Sequence, residues 1–316
     1  MKEIIPIVCL MGPTASGKTQ LAVQLVQQFP FEIISVDSAM VYREMNIGTA
    51  KPTADILKIA PHRLIDIRDP KEIYSTAQFC EDAWQAIADI AAQGKIPLLV
   101  GGTMMYFRSL QQGLSILPRA DIHIRENISN EAKKMGWAAL HEQLKKIDVH
   151  AAERIHPNDS QRIQRALEVY QLTGKNLTTW QQEGKLSHAY QVYNIAIAPS
   201  ERAVLHERIA KRFTEMLRLG FVDEVKKLYE RGDLSLDLPS IRSVGYRQIW
   251  EYFLGKYTFD EMCERGIIAT RQVAKRQLTW LRHWKDEVKW FESEDEKLFS
   301  KVVSHLTELN NTDLVI

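Results

Sequence analysis

Gly12-Pro13-Thr14-Ala15-Ser16-Gly17-Lys18-Thr19 sets two glycines, a lysine and a hydroxyl at the spacing G-x-x-x-x-G-K-T, which suits one ligand chemistry above all, a phosphate. Glycine lets the backbone turn so that several N–H groups converge on an anion, Lys18 adds a point charge, and the Thr19 hydroxyl can ligate magnesium. Asp37 closes the next apolar run, Glu32-Ile33-Ile34-Ser35-Val36. It can hold magnesium through water, accept a proton from an attacking nucleophile, or merely cap the next turn. Ser38 beside it can help to fix a nucleophile. A third group is Gly101-Gly102-Thr103, behind Leu98-Leu99-Val100. Many ATP-hydrolysing enzymes place a magnesium-binding aspartate there, and its absence argues against a motor or ATPase. Paired glycines admit a ligand close to the backbone, with Thr103 offering a hydroxyl; a tight turn without ligand is the other reading.

Charge is concentrated late in the chain. Arg265, Arg271, Lys275, Arg276, Arg282 and Lys285 fall in one stretch that holds no acidic residue, with Trp280 and Trp284 between them. Arg271, Lys275 and Arg282 share a helical face by spacing. A second basic group, Gln161, Arg162 and Arg165, opens a helix behind Asn158-Asp159-Ser160. One basic helix face is commonly just solvated. Two of them beside a phosphate loop favour a polyanion, and interleaved rings suit RNA, whose bases can be splayed out and stacked.

These groups need a scaffold, and the hydrophobic pattern supplies one. Strand Ile4 to Met11 enters the loop, and Leu21, Ala22, Leu25 and Val26 recur at helical spacing behind it. Strands follow at 32–37 and 63–67, a helix from Ser75 to Gln93 ending at Gly94, and a strand at Ile96 to Val100. Such alternation predicts a parallel sheet with ligands at the carboxyl ends of its strands. From Asp121 to about Gln191 the pattern is helical and polar, with Ile163, Leu167 and Tyr170 on one face and a stop at Gly174. Val192 to Pro199 reads as a strand returning to the sheet. Residues 200–292 are helical again, with a capping box at Thr258 and Glu261, and the tail beyond Glu292 is polar. The expected fold is α/β: a phosphate-loop NTPase-like parallel sheet flanked by helices, formed by residues 1–120 and 192–316, with a helical insertion at 121–191.

The 316 residues, 45% hydrophobic and 26% charged, are ordinary for a soluble globular protein. A net charge of +1 makes any basic surface local. Cys9, Cys80 and Cys263 lie too far apart in sequence for a C-x-x-C pair, which argues against a disulfide framework or zinc site and for a reducing compartment. The first apolar run carries Glu3 and Pro6 and reads as a strand rather than a signal peptide. No apolar run reaches the ~20 residues that span a bilayer. A cytoplasmic monomer without membrane contact is expected.

Further motifs are GPTASGKT at Gly12 to Thr19, Ser35-Val36-Asp37-Ser38 with Val41-Tyr42, Ile47-Gly48-Thr49-Ala50-Lys51-Pro52, Pro61 to Asp66, and Val100 to Thr103 with Tyr106. They continue in Arg154 to Asp159, Gln161 to Arg165, Ser243 to Gln248, and Thr270-Arg271-Gln272 through Lys275-Arg276-Gln277 to Trp280-Leu281-Arg282. In these motifs the chain resembles the bacterial tRNA dimethylallyltransferases. Only the phosphate loop is shared with unrelated enzymes.

The resemblance implies transfer of a dimethylallyl group from dimethylallyl diphosphate, with Mg2+, to N6 of the adenosine 3′ to the anticodon, in tRNAs reading codons that begin with U. Gly12, Pro13, Thr14, Ala15, Ser16, Gly17, Lys18 and Thr19 would then cradle the departing diphosphate, with the metal at Thr19. Asp37 would take the proton of the exocyclic amine, the base being flipped out of the anticodon stem-loop. Arg247, in the Gly-Tyr-Arg turn, is the candidate for a further diphosphate contact, and Thr103 lies at the same site. Implied tRNA contacts are Asp37, Ser38, Ala39 and Met40; Thr103 and Arg125; Gln161, Arg162, Ile163, Gln164 and Arg165; Arg242, Ser243, Val244, Gly245, Tyr246 and Arg247; and Lys275, Arg276, Gln277, Leu278, Thr279, Trp280, Leu281 and Arg282. The magnesium-anchoring D-D-x-x-D cluster of isoprenoid chain elongation is missing, so the loop takes that duty. Asn46 departs from the aspartate usual before Ile-Gly-Thr-Ala-Lys-Pro, and Arg63 from a second histidine; both bear on donor or tRNA affinity. No cysteine follows Cys263, so the zinc finger of eukaryotic relatives has no counterpart. The competing reading is a small-molecule kinase using ATP, with Asp37 deprotonating a hydroxyl, but a metabolite kinase has no use for the long cationic helix. A non-catalytic RNA-binding protein would leave the loop and Asp37 idle.

Overall fold

The structure, a computed structural model, describes residues 5–113, 117–118, 120–182 and 190–310. The chain divides into two compact units, Met1–Ser109 with Ala189–Ile316, and Leu110–His188. The first opens with β1 (Ile5–Met11), α1 (Lys18–Gln28), β2 (Phe31–Val36), α2 (Ala54–Ile59), β3 (His62–Arg63), α3 (Thr76–Ala92), β4 (Ile96–Gly101) and α4 (Met104–Gln112). The second holds α5 (Ile122–Met135), α6 (Trp137–Ile147), α7 (Val149–Arg154), α8 (Ser160–Thr173) and α9 (Leu177–Gln182). The chain then returns as β5 (Tyr190–Ala198), α10 (Arg202–Arg218), α11 (Phe221–Glu230), α12 (Tyr246–Phe253), α13 (Phe259–Arg282), β6 (Lys289–Glu292) and α14 (Leu298–Asn310).

The strands form one six-stranded sheet in the order β3-β2-β4-β1-β5-β6, and every pairing is parallel. β1 and β4 are central and apolar on both faces, as a sheet covered by helices requires. Register decides where the chemistry can sit. Met11 lies opposite Gly101 and Ala196, and Val36 opposite Gly101, so the phosphate loop, Asp37 and Gly102-Thr103 all leave the sheet at one level. Gly101 permits this close pairing, since a Cβ there would stand 2.0 Å from the Val36 carbonyl oxygen.

Several expected elements take other forms. The strand expected at 63–67 stops after Arg63, because Leu64 (φ 63°) and Asp66 (φ 56°) are left-handed. The backbone N–H groups of Asp66, Ile67 and Arg68 donate instead to the carbonyls of Met40 and Val41. The stretch to 292, expected to be helical throughout, ends in β6 at the sheet edge. The polar-looking tail forms α14, whose Val302 and Leu306 are buried in the same core cluster as Val8, Leu10 and Ile195. α3 begins with a capping box from Ser75 and Gln78, and the chain turns away at Gly94 (φ +70°).

The second unit has its own core, in which Ile128, Leu140, Leu144, Ile163 and Leu167 are buried together. Three of its helices, α5, α7 and α8, start on side-chain caps from Asp121, Asp148 and Asp159, each satisfying N–H groups that the first turn leaves unpaired. Tyr170, expected on the face of Ile163 and Leu167, is 37% exposed. α8 stops at Gly174 in the left-handed conformation.

Candidate active site

The phosphate loop owes its shape to three backbone positions. A Cβ at Gly12 would lie 2.3 Å from the Ile197 carbonyl oxygen and 2.8 Å from Ser16 Oγ. Ala15 (φ 63°) and Gly17 (φ 88°) are left-handed around Ser16, an alternation that turns successive N–H groups inward into an anion nest. No side chain caps the N-terminus of α1, so its dipole and free N–H groups face the same point. The Lys18 ammonium donates to the Pro13 carbonyl at 2.6 Å and to Ser16 Oγ at 3.4 Å. Burial, followed by the charge of Arg212, pulls the Lys18 pKa down to about 7, with Asp37 acting in the opposite direction.

Asp37 leaves β2 beside this nest. Its Oδ1 accepts the N–H groups of Ala39 (2.8 Å) and Met40 (3.1 Å), so the turn-capping role exists, but it occupies one oxygen of the carboxylate. Thr103 Oγ1 accepts the Ser38 N–H at 3.2 Å, tying the end of β4 to the backbone next to Asp37.

Two cavities of about 360 and 350 Å³ meet at Asp37, each large enough for a small ligand. One contains Lys18, Thr19, Met40, Lys51, His62 and Gly102 and is the polar, phosphate side. The other has an apolar wall of Ile209, Phe213, Met216, Phe221 and Val244, with Ser38, Ala39, Thr103, Arg242, Ser243 and Tyr246 around it. Thr14, Ala15, Thr49, Arg212 and Gln277 border both.

Arg212 is the residue the sequence reading missed. Burial lowers its pKa and Asp37 opposes the shift, while a guanidinium stays charged at any physiological pH. The signal was there: Leu205, Ile209, Phe213 and Met216 mark the buried stripe of α10, and Arg212 falls on it by spacing, where a lone charge calls for a ligand or partner.

Arg247, expected at the diphosphate, is half-exposed and pairs with Glu251 at 3.5 Å. It borders neither cavity, because the first turn of α12 buries Tyr246 and so turns the next side chain outward. Gly245 is buried, and the Tyr246 hydroxyl donates to Glu224 at 2.5 Å; burial and that carboxylate push the phenol pKa up. Ile163, Tyr246 and Leu281 are buried, Tyr246 while also lining the apolar cavity. Leu278 packs against Leu205, Ile209 and Ala274. Arg125 and Arg165 both engage the buried carboxylate of Glu168, at 2.9 and 2.6 Å, and Gln164 donates to Ser129 and to the Arg125 carbonyl. Gln161 and Arg162, and on α13 Lys275, Arg276, Thr279, Trp280 and Arg282, are exposed. Arg108 lies over the Trp280 ring, 5.6 Å from its centre.

Residues 40–284 match the family model described as IPP transferase. The chain belongs to the IPP transferase family. The tRNA isopentenylpyrophosphate transferase of Bacillus halodurans is 37% identical, with 96% of each chain covered and a TM-score of 0.71. That of Staphylococcus epidermidis is 34% identical over 97% of this chain and 99% of its own, with a TM-score of 0.69. A eukaryotic dimethylallyltransferase solved acting on tRNA is 26% identical, with a TM-score of 0.84 over 99% of this chain and 81% of the other.

In this transferase the two departures from the family pattern have local partners. Asn46 Oδ1 accepts from Lys51 Nζ at 2.9 Å, and Lys51 also donates to Asp66 at 2.6 Å. Arg63 pairs with Glu32 at 2.5 Å and Asp89 at 3.3 Å. Among the described residues no helix is long and apolar enough to cross a membrane.

Proposed function

We propose that this IPP transferase moves a dimethylallyl group from dimethylallyl diphosphate to N6 of the adenosine 3′ to the anticodon, in tRNAs that read codons beginning with U. The observation that carries the reading is the pair of cavities meeting at Asp37, one walled by the phosphate loop and the other by apolar rings. The nest N–H groups, Lys18 and Arg212 bind the diphosphate and stabilise the charge that develops as it leaves. The C1–O bond of the donor breaks, the N6–C1 bond forms, and the proton released from N6 passes to the free oxygen of Asp37. The adenine reaches Asp37 only when unstacked from the anticodon loop, and the turn of Ser38 to Met40 with Thr103 shapes the space it enters.

Magnesium fits the polar cavity. Thr19 offers a hydroxyl there, a sparse donor set that suits an ion completed by phosphate and water; when bound it would add positive charge at the diphosphate and leave the free oxygen of Asp37 to the proton. Gln161 and Arg162 of the helical unit, together with the exposed basic side of α13, are further proposed tRNA contacts, on a monomer working in the cytoplasm.

The test is direct. Purified protein given unmodified tRNA, dimethylallyl diphosphate and magnesium should yield N6-dimethylallyladenosine by mass spectrometry of digested nucleosides. Asp37→Asn preserves the turn through its amide oxygen and should lower turnover ~10²–10⁴-fold, as for loss of a general base. Phosphoryl transfer from ATP without prenylated product would reverse the reading in favour of a kinase.

A further inference from the structure

α13 sends an amide side chain into the site. Gln277 Oε1 accepts the Thr14 N–H at 2.9 Å, and its Nε2 donates to the Gly102 carbonyl at 2.9 Å. Thr14 belongs to the phosphate loop. Gly102 follows the end of β4 and precedes Thr103, whose hydroxyl holds the backbone beside Asp37. One amide therefore spans the loop that holds phosphate and the strand end tied to Asp37. Position 102 is shaped around it, since a Cβ there would come within 2.4 Å of Gln277 Nε2. The demand on residue 277 is narrow: asparagine is shorter by a methylene, and glutamate would set a carboxylate oxygen against the Gly102 carbonyl.

We propose that Gln277 is a positioning residue for the transfer, holding the phosphate loop in register with the Asp37 turn and making the donor site depend on how α13 is seated. It touches no reacting atom. It satisfies the Thr14 N–H, so the cradle proper begins at Ala15, and it fixes the loop before the donor arrives, which is where preorganisation lowers a barrier. The inference rests on the loop being the diphosphate cradle, and it separates Gln277 from its neighbours on α13: Lys275 and Arg282 would face RNA, whereas Gln277 faces the loop.

The experiment is calorimetry of inorganic pyrophosphate with magnesium on the full chain without RNA, followed by steady-state kinetics. Gln277→Met keeps length and loses both hydrogen bonds, and should weaken pyrophosphate binding about tenfold, the order expected for such bonds. At saturating substrates kcat should fall by a similar factor, while KM for tRNA moves less than about twofold. Gly102→Ala displaces the amide without altering it and should reproduce the donor defect, so the proposal stays testable if Gln277→Met folds poorly. Unchanged pyrophosphate affinity in both variants, with only KM for tRNA raised, would make Gln277 an RNA contact and overturn the proposal. Absence of pyrophosphate binding by the unsubstituted enzyme would instead overturn the cradle, and the proposal with it.

Discussion

Lys18 sits in a position where its protonation should follow its ligand. The ammonium is held by loop atoms and by no carboxylate within ion-pair distance among the described residues, and burial with the nearby Arg212 charge brings its pKa to about 7. A diphosphate beside it favours the charged form, so binding above about pH 7 requires proton uptake, and affinity should fall as pH rises. In the free enzyme the sign is also fixed: the unfolded chain holds this proton up to its ordinary range, so the Lys18 contribution to stability rises with pH from about 7 upward. Pyrophosphate calorimetry in buffers of different ionisation enthalpy should show uptake approaching one proton per site, beyond that seen for Lys18→Arg, which stays charged. Equal uptake in the two proteins would remove Lys18 as the source. Lys18 and Asp37 were legible in the sequence because a short local spacing defines each. Arg212 showed only as a charge on the apolar stripe of α10 and the clasp of Gln277 did not show at all, since the partners of both lie far away in the chain. The sequence pointed to Arg247 and did not single out Arg212 for the same reason: only the buried stripe of α10 and the outward turn of α12 tell the two apart.

Elements are set by a few such long-range bonds. The segment from Asn46 to Thr53 walls the polar cavity without regular structure at its start, and Glu224 of α11 fixes it. Glu224 Oε2 accepts the N–H groups of Asn46 (2.9 Å) and Ile47 (2.7 Å), and Oε1 those of Gly48 (3.1 Å) and the Tyr246 hydroxyl. Gly48 completes the fit, because a Cβ there would stand 2.1 Å from the Phe221 ring. A neutral amide cannot serve four donors, so Glu224→Gln should destabilise by about 1–3 kcal/mol, lower Tm by a few degrees and raise KM for the donor. Differential scanning calorimetry and donor titrations check both; a normal Tm together with a normal KM would mean that the loop holds itself. None of this could be read from spacing. The parallel sheet could, because β1, β2, β4 and β5 are apolar runs alternating with helical ones. β3 is cut short by left-handed Leu64 and Asp66, a property that carries no hydrophobic signature. β6 and α14 were hidden because their apolar residues, among them Phe291, Val302 and Leu306, are scattered through charged sequence and find the sheet only in three dimensions.

Across the molecule a net charge of +1 gives no hint of a polyanion, and the basic residues of α13 must act locally. Lys275 and Arg282 lie on one exposed side, and neither borders a cavity, while Gln277 of the same helix reaches the phosphate loop. Binding RNA and forming the donor site thus fall to different sides of one element, and substitutions should separate them. Lys275→Ala and Arg282→Ala should each weaken tRNA binding and reduce the slope of log K against log salt by about 0.7–0.9, the equivalent of one phosphate contact. At saturating tRNA kcat should stay within about twofold, because the cavities are untouched. The same titration on Gln277→Met should leave the salt slope alone, since an amide releases no counterion. A slope unchanged in Lys275→Ala and Arg282→Ala would show that this face of α13 meets water rather than RNA, and the polyanion surface would then have to be sought on Arg265, Arg276 and Lys285, which are also exposed.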